Sequence, residues 1–208
     1  MFTVILKQVW RDSRWMLLFL AACGWVILDG AARFGRGTWL PGRIIVEAQY
    51  WGMMIPVLAF FAALLLAIIT WWPDRRGWWV YALTLPVPRA RYAALRAAAG
   101  GVLLAGLAGA FAVEAAIMAA RVVLPSGLVT YAGPLALRFA LALLVCHAMW
   151  TMLSLAGRAS ARVIGAAIAV MVLLELLGVH AFVHVLNALV SPWSPLRILG
   201  GRWMFIDV

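Results

Sequence analysis

The apolar residues of this chain fall into long runs that are separated by short polar or basic stretches. A helix needs about 20 apolar residues to cross a bilayer, and the runs predict membrane spans at residues 15–32, 49–72, 97–120, 134–156 and 163–190. The chain is 67% hydrophobic and only 12% charged, whereas a soluble domain is about half apolar and about a quarter charged. We therefore expect one all-α integral membrane domain over residues 1–208.

The segments around these runs refine the picture. Residues 2–14 carry basic residues at helical spacing and predict an amphipathic interfacial helix that leads into the first span. Residues 29–48 are polar and glycine-rich and predict a loop, and Pro56 predicts a kink in the second span. A small residue recurs every four positions over 101–109, a pattern that favours close helix packing. Residues 178–190 either extend a tilted fifth span or form a re-entrant element.

Arginine distribution predicts the orientation. Residues 71–96, WWPDRRGWWVYALTLPVPRARYAALR, hold five arginines between two apolar runs, whereas residues 121–133 hold one. The positive-inside rule then places the N-terminus in the cytoplasm. We expect the membrane to be the cell inner membrane. The net charge of +10 could indicate nucleic acid, but the basic residues cluster at the ends of apolar runs. We therefore expect the lipid bilayer, and no nucleic acid, as the partner of these charges.

A few polar side chains inside the runs could carry chemistry. Glu114 and Glu175 are the only carboxylates deep in apolar runs, and each is either a functional site or a structural hydrogen bond between helices. His147, Thr151 and Ser154 follow at helical spacing on the fourth span. This stripe either lines a substrate path or holds helices together.

The sequence contains no complete motif for binding a metal ion or a nucleotide. His180 and His184 stand four residues apart, but Glu175 lies about 140° away around a continuous helix, so a third metal ligand is missing. A phosphate-binding loop needs a lysine after its second glycine, and the only lysine is Lys7. We expect no metal site, no cofactor and no catalytic residue in this chain.

Two stretches resemble a known family. KQVWRDSRWMLL at 7–18 and LTLPVPRARYAALR at 83–96 are similar to the membrane subunit of ATP-binding-cassette exporters of the type-two permease class, and the resemblance covers about residues 1–190. In that family the first cytoplasmic loop forms a coupling helix that docks on an ATPase subunit. The resemblance implies that residues 73–91 have this role, that the ATPase partner binds ATP and Mg, and that a second permease subunit completes the transporter. The implied partner-binding residues are Asp74, Arg75, Arg76, Trp78, Trp79, Leu85, Pro86 and Arg89.

The family has six spans, and no sixth apolar run follows residue 195 here. Three functions therefore stay open at this stage. The first is the permease subunit of an exporter. The second is a small ion- or proton-coupled secondary transporter that uses Glu114 and Glu175. The third is a non-transporting assembly subunit or an intramembrane enzyme.

Overall fold

The protein is a bundle of long helices. A computed structural model describes residues 1–33, 41–73, 88–155, 170 and 194–207. The helices of these residues are α1 (Phe2–Arg33), α2 (Pro41–Gly52), α3 (Met54–Pro73), α4 (Arg89–Arg121) and α5 (Ala132–Leu155). Four stretches of the described chain are long and apolar enough to cross a membrane: Phe2–Arg33, Gly42–Trp71, Ala90–Arg121 and Ala132–Leu155. The helical, membrane-compatible fold is therefore confirmed, while the fifth span and the re-entrant element lie outside the described residues.

Helix α1 joins two elements that the sequence suggested were distinct. It runs without interruption for 32 residues, which is about 48 Å at 1.5 Å per residue and exceeds the roughly 30 Å of hydrocarbon in a bilayer. Within its first turns, Val9 is buried and Ser13 donates a hydrogen bond of 2.7 Å to the Val9 carbonyl. Residues 2–14 therefore lead into the first span as part of one continuous helix, and their position at the membrane interface stays a prediction.

Helix α2 corrects the predicted loop over 29–48. Residues 41–48 are helical, with Pro41 at the first helical position, where its missing N–H costs nothing. Ile44 and Ala48 lie on one face of this helix and are fully buried. Gly42 and Arg43, just before these positions, are exposed, as expected for the polar face of an amphipathic helix.

A short interruption separates α2 from α3. The helical pattern breaks at Met53, three residues before Pro56. Proline has no N–H and its ring collides with the carbonyl four residues earlier, which here belongs to Gly52. The helix is therefore interrupted close to the position where the sequence predicted a kink, and Gly52, beside the interruption, is buried.

The core lies between two layers of packed helices. α1 packs along α4, α3 packs along α5, and α4 also contacts α5. Phe111 of α4 and Phe139 of α5 stack with ring centroids 4.2 Å apart. Leu28 and Met118 are among the fully buried side chains. The core therefore consists of ordinary apolar interdigitation, and each helix contributes one face to it.

Residues 194–207, here called the capping segment, close one end of the bundle. A 3-10 helix spans Pro195–Leu199, and β2 (Ile206–Asp207) pairs antiparallel with β1 (Val129–Thr130) in the connection between α4 and α5. We call this end the capped end and the opposite end, where α3 and α5 finish and α4 begins, the far end. The sequence indicated only a tail of unknown location.

One arginine fixes the capping segment. The Arg138 guanidinium of α5 donates to the carbonyls of Ile198, at 3.2 Å, of Arg202, at 2.6 Å, and of Gly200. Its terminal carbon also lies 4.4 Å from the centroid of the Trp203 ring. Hydrogen bonds from charged donors are the stronger class. The backbone carbonyls of the capping segment therefore stabilise the Arg138 charge inside a spanning helix.

Candidate functional site

His147 is at the centre of a buried polar cluster in the far-end half of the bundle. It lies on α5, is only 5% exposed, and its Nε2 is 3.0 Å from the carbonyl oxygen of Ala97 on α4. A carbonyl only accepts, so Nε2 carries the proton in this contact. In a neutral ring Nδ1 is then an acceptor, and among the described residues it has no hydrogen-bond partner.

Gly100 permits this close approach. A Cβ placed on Gly100 would lie 2.7 Å from Cε1 of His147 and 3.7 Å from Oγ1 of Thr70 on α3. Three helices therefore meet around one ring, and only a residue without a side chain fits at the meeting point.

Several other polar atoms nearby lack partners within the described part of the chain. They are buried side-chain atoms at the ends of α3 and α5: Thr70 Oγ1, Trp71 Nε1, Trp150 Nε1 and Thr151 Oγ1. An unsatisfied polar group in a bilayer interior costs several kcal/mol. Buried polar groups without protein partners mark a place where a ligand or water completes the hydrogen bonds.

Arg96 contributes a buried positive charge to the cluster. It is 5% exposed and lies one helical turn before Gly100. Its guanidinium donates to the Tyr92 hydroxyl and lies 5.8 Å from the centroid of the Trp71 ring. The sequence grouped this arginine with the cytoplasmic loop, but its side chain belongs to the helix interface and is held there by two aromatic rings.

The predicted stripe on the fourth span is partly brought into this cluster. His147 and Thr151 are buried against the neighbouring helices, and Ser154 is half-buried. Thr70, Gly100 and Arg96 belong to the cluster as well, although the sequence analysis did not select them. The sequence offered one signal for Thr70, which is its position directly before the Trp71–Trp72 pair at the end of an apolar run.

Glu114 lies apart from the cluster. It faces α1, where a Cβ on Gly24 would come within 3.0 Å of its Oε2. This oxygen is buried and has no partner among the described residues. Arg121, which shares the helical face of Glu114, lies over the Trp25 ring instead, at 5.8 Å from its centroid.

The remaining predicted site residues fall mostly outside the described part of the chain. Arg89 begins α4, whereas the loop residues from Asp74 to Pro86 and also Glu175, His180 and His184 lie outside the described ranges. Within those ranges no group of three His, Cys, Asp or Glu side chains could hold a metal ion. Comparison with known proteins gives no family: the chain matches no protein-family model, no curated protein and no solved structure.

Proposed function

We propose that this chain is the permease subunit of an ATP-binding-cassette exporter, which moves a substrate across the membrane when a separate subunit hydrolyses ATP. Two permease subunits and the ATPase would make up the transporter. It would lie in the cell inner membrane, with the N-terminus of each permease subunit in the cytoplasm. A fifth crossing over residues 163–190 is part of the proposal. It is supported by the positions of Leu155 at the far end and Ser194 at the capped end, which the chain between them must connect.

One observation carries the proposal. The arginine-rich loop that resembles a coupling element leaves α3 directly after Thr70 and Trp71, and it returns into α4 a few residues before Arg96 and Gly100. These four residues form two of the three walls of the polar cluster around His147. A force applied to the loop would therefore act on the helices that hold the cluster, with no further element between them.

This arrangement suits a coupled transporter for a physical reason. His147 is hydrogen-bonded to the Ala97 carbonyl and lies against Gly100, so a small movement of α4 relative to its neighbours would change the hydrogen bonding of the cluster. Packed interfaces of this kind switch between discrete arrangements rather than deform continuously. Binding of a cytoplasmic partner to the loop would thereby shift the equilibrium between helix arrangements in which the polar cluster is buried and arrangements in which it is exposed.

The test is copurification of a nucleotide-binding subunit with the tagged full-length chain from native membranes. The double variant Leu85→Ala, Arg89→Ala should insert normally but lose that subunit and the ATP turnover associated with it. Val123→Ala is the matched control, because Val123 is exposed in the connection at the capped end and should retain both. A double variant that keeps the subunit and normal ATP turnover would show that the loop does not couple.

A second candidate function has its own supporting observation. The unpartnered, buried Oε2 of Glu114 is a group that could take up a proton or a cation during transport. An ion- or proton-coupled secondary transporter would move substrate without any ATPase and would depend on an ion gradient. Transport by the purified chain in vesicles, driven by a proton gradient alone and abolished by Glu114→Gln, would favour this alternative over the exporter.

A further inference from the structure

A groove runs along the bundle between α4 and α5. It encloses about 340 Å³, within the range of about 300–1,000 Å³ that is typical of small-molecule sites. Its walls are Gly101, Leu104, Ala105 and Ala108 on α4, and Ala140, Leu141, Leu143, Leu144 and His147 on α5. These walls span eight residues on each helix, 101–108 and 140–147, which corresponds to a length of about 10 Å.

The groove has one polar end and one apolar end. The two helices run antiparallel, since Gly100 lies against His147 and Phe111 stacks on Phe139. His147 and Gly101 therefore share the far-end mouth, and the groove continues toward the middle of the helices between small aliphatic side chains. All of its lining except His147 is apolar.

The walls on α4 are open within the described part of the chain. A Cβ on Gly101, Gly106 or Gly109 would meet no atom within 4 Å. The predicted close packing of a helix on residues 101–109 is therefore not found among the described helices. The small side chains instead leave room for an occupant next to His147.

His147 indicates which chemistry the occupant has. Its ring is more than nine-tenths buried, and Nε2 donates to the Ala97 carbonyl. Nδ1, which is an acceptor in the neutral ring, has no partner among the described residues. The Thr70 and Thr151 hydroxyls, also unpartnered there, lie on the adjoining helix ends. Of these side chains, His147 lines the groove. A hydrocarbon alone would leave its Nδ1 unsatisfied, whereas a molecule with a hydroxyl or amide N–H at one end of an aliphatic chain would offer it a donor.

We propose that this groove binds an amphiphilic molecule, with its aliphatic chain between α4 and α5 and a hydrogen-bond donor on Nδ1 of His147. As a statement about the transported substrate, this inference rests on the proposed function. Binding itself does not, because the groove and the histidine belong to this chain alone.

The experiment uses the purified full chain in detergent and two photoreactive probes of equal length, a long-chain alcohol and the corresponding alkane without the hydroxyl. Cross-linked peptides are identified by mass spectrometry. We expect the alcohol to label the groove-lining parts of α4 and α5 about fivefold more than the alkane, the selectivity of one net hydrogen bond. His147→Phe, which keeps a planar ring and removes both nitrogens, should abolish this preference.

Two further variants locate the site. Ala105→Trp fills the groove and should remove labelling by both probes, while Val113→Trp, an exposed position on the same helix outside the groove, should leave labelling unchanged. Equal labelling by alcohol and alkane in the unmodified chain would overturn the proposal. So would labelling that Ala105→Trp does not reduce, or no labelling at all, which would assign the groove to a second copy or to another part of this chain.

The outcomes also separate this inference from the proposed function. Labelling with the expected selectivity, in a chain that binds no ATPase subunit, would support the site and refute the exporter. An intact ATPase complex without labelling would support the exporter and refute the amphiphile.

Discussion

Replacement of Gly100 by alanine should disconnect His147 from α4, and Gly101 provides a control one residue away. At position 100 the new Cβ would lie 2.7 Å from Cε1 of His147, which is 0.7 Å short of the 3.4 Å at which ordinary contact begins. At position 101 the same atom would meet nothing within 4 Å. Both substitutions lie in the same helix, so their effects on backbone propensity should be equal.

The expected difference follows from three contributions to stability. Gly→Ala in a helix interior stabilises by at most about 1 kcal/mol, and this applies to both variants. In Gly100→Ala the imidazole must move away, which removes the hydrogen bond to Ala97, worth about 0.5–1.5 kcal/mol net. The buried groups left without partners add about 1–3 kcal/mol. Gly100→Ala should therefore be about 1–3 kcal/mol less stable than the unmodified chain, while Gly101→Ala should be equal or slightly more stable.

The measurement is reversible unfolding of the purified chain in mixed micelles, followed by the loss of helical signal as denaturing detergent increases. The variants should separate by about 1.5–4.5 kcal/mol, the sum of the two terms that apply to Gly100→Ala alone. Equal stabilities would mean that the His147 ring can move aside without a cost in free energy. The close contact at Gly100 would then not contribute to the stability of the bundle. A Gly101→Ala variant as unstable as Gly100→Ala would show that a further element covers α4 at this point.

Two more predictions concern the capped end. In Gly52→Ala the new Cβ would lie 1.6 Å from the carbonyl oxygen of Trp203. Residues 194–207 should therefore detach and become sensitive to added protease. Gly42→Ala is the control and should remain resistant, because a Cβ there meets no atom within 4 Å. Arg138→Ala should weaken the same segment by about 2–4 kcal/mol, because charged hydrogen bonds contribute about 1.5–3 kcal/mol each and are discounted here for partial exposure. Faster amide exchange over residues 194–207 measures this loss, and unchanged exchange would contradict it.

The lengths of the apolar runs were sufficient to predict the main helices. Predicted spans 97–120 and 134–156 lie within or close to α4 and α5, because about twenty consecutive apolar residues have few alternatives to a helix in lipid. Helical spacing also predicted that His147 and Thr151 share a face, and both are buried. These properties are local, and a single helix determines them.

Properties that depend on pairs of helices could not be predicted in the same way. Nothing in the sequence connects Thr70 to Gly100, since their meeting depends on how α3 packs near α4. The small residues over 101–109 predicted a closely packed helix, but in the described part of the chain Gly101 and Gly109 meet no neighbouring atom within 4 Å of a Cβ. The polar, glycine-rich composition of residues 29–48 suggested a loop because the helical spacing of the apolar residues within it was not considered, and α2 is nevertheless a helix.

The capped end also constrains the order in which this protein is made. The carbonyls that accept from Arg138 come 60–64 residues later in the chain, so α5 leaves the ribosome well before its guanidinium can be compensated. Until then the helix carries a cation into the membrane, at a cost of up to about 2.5–3.5 kcal/mol on insertion scales. Docking of residues 194–207 removes this penalty late in biogenesis. A nascent chain interrupted before Ile198 would retain an uncompensated charge in lipid, and cellular proteases that survey membrane proteins could recognise it as unfinished.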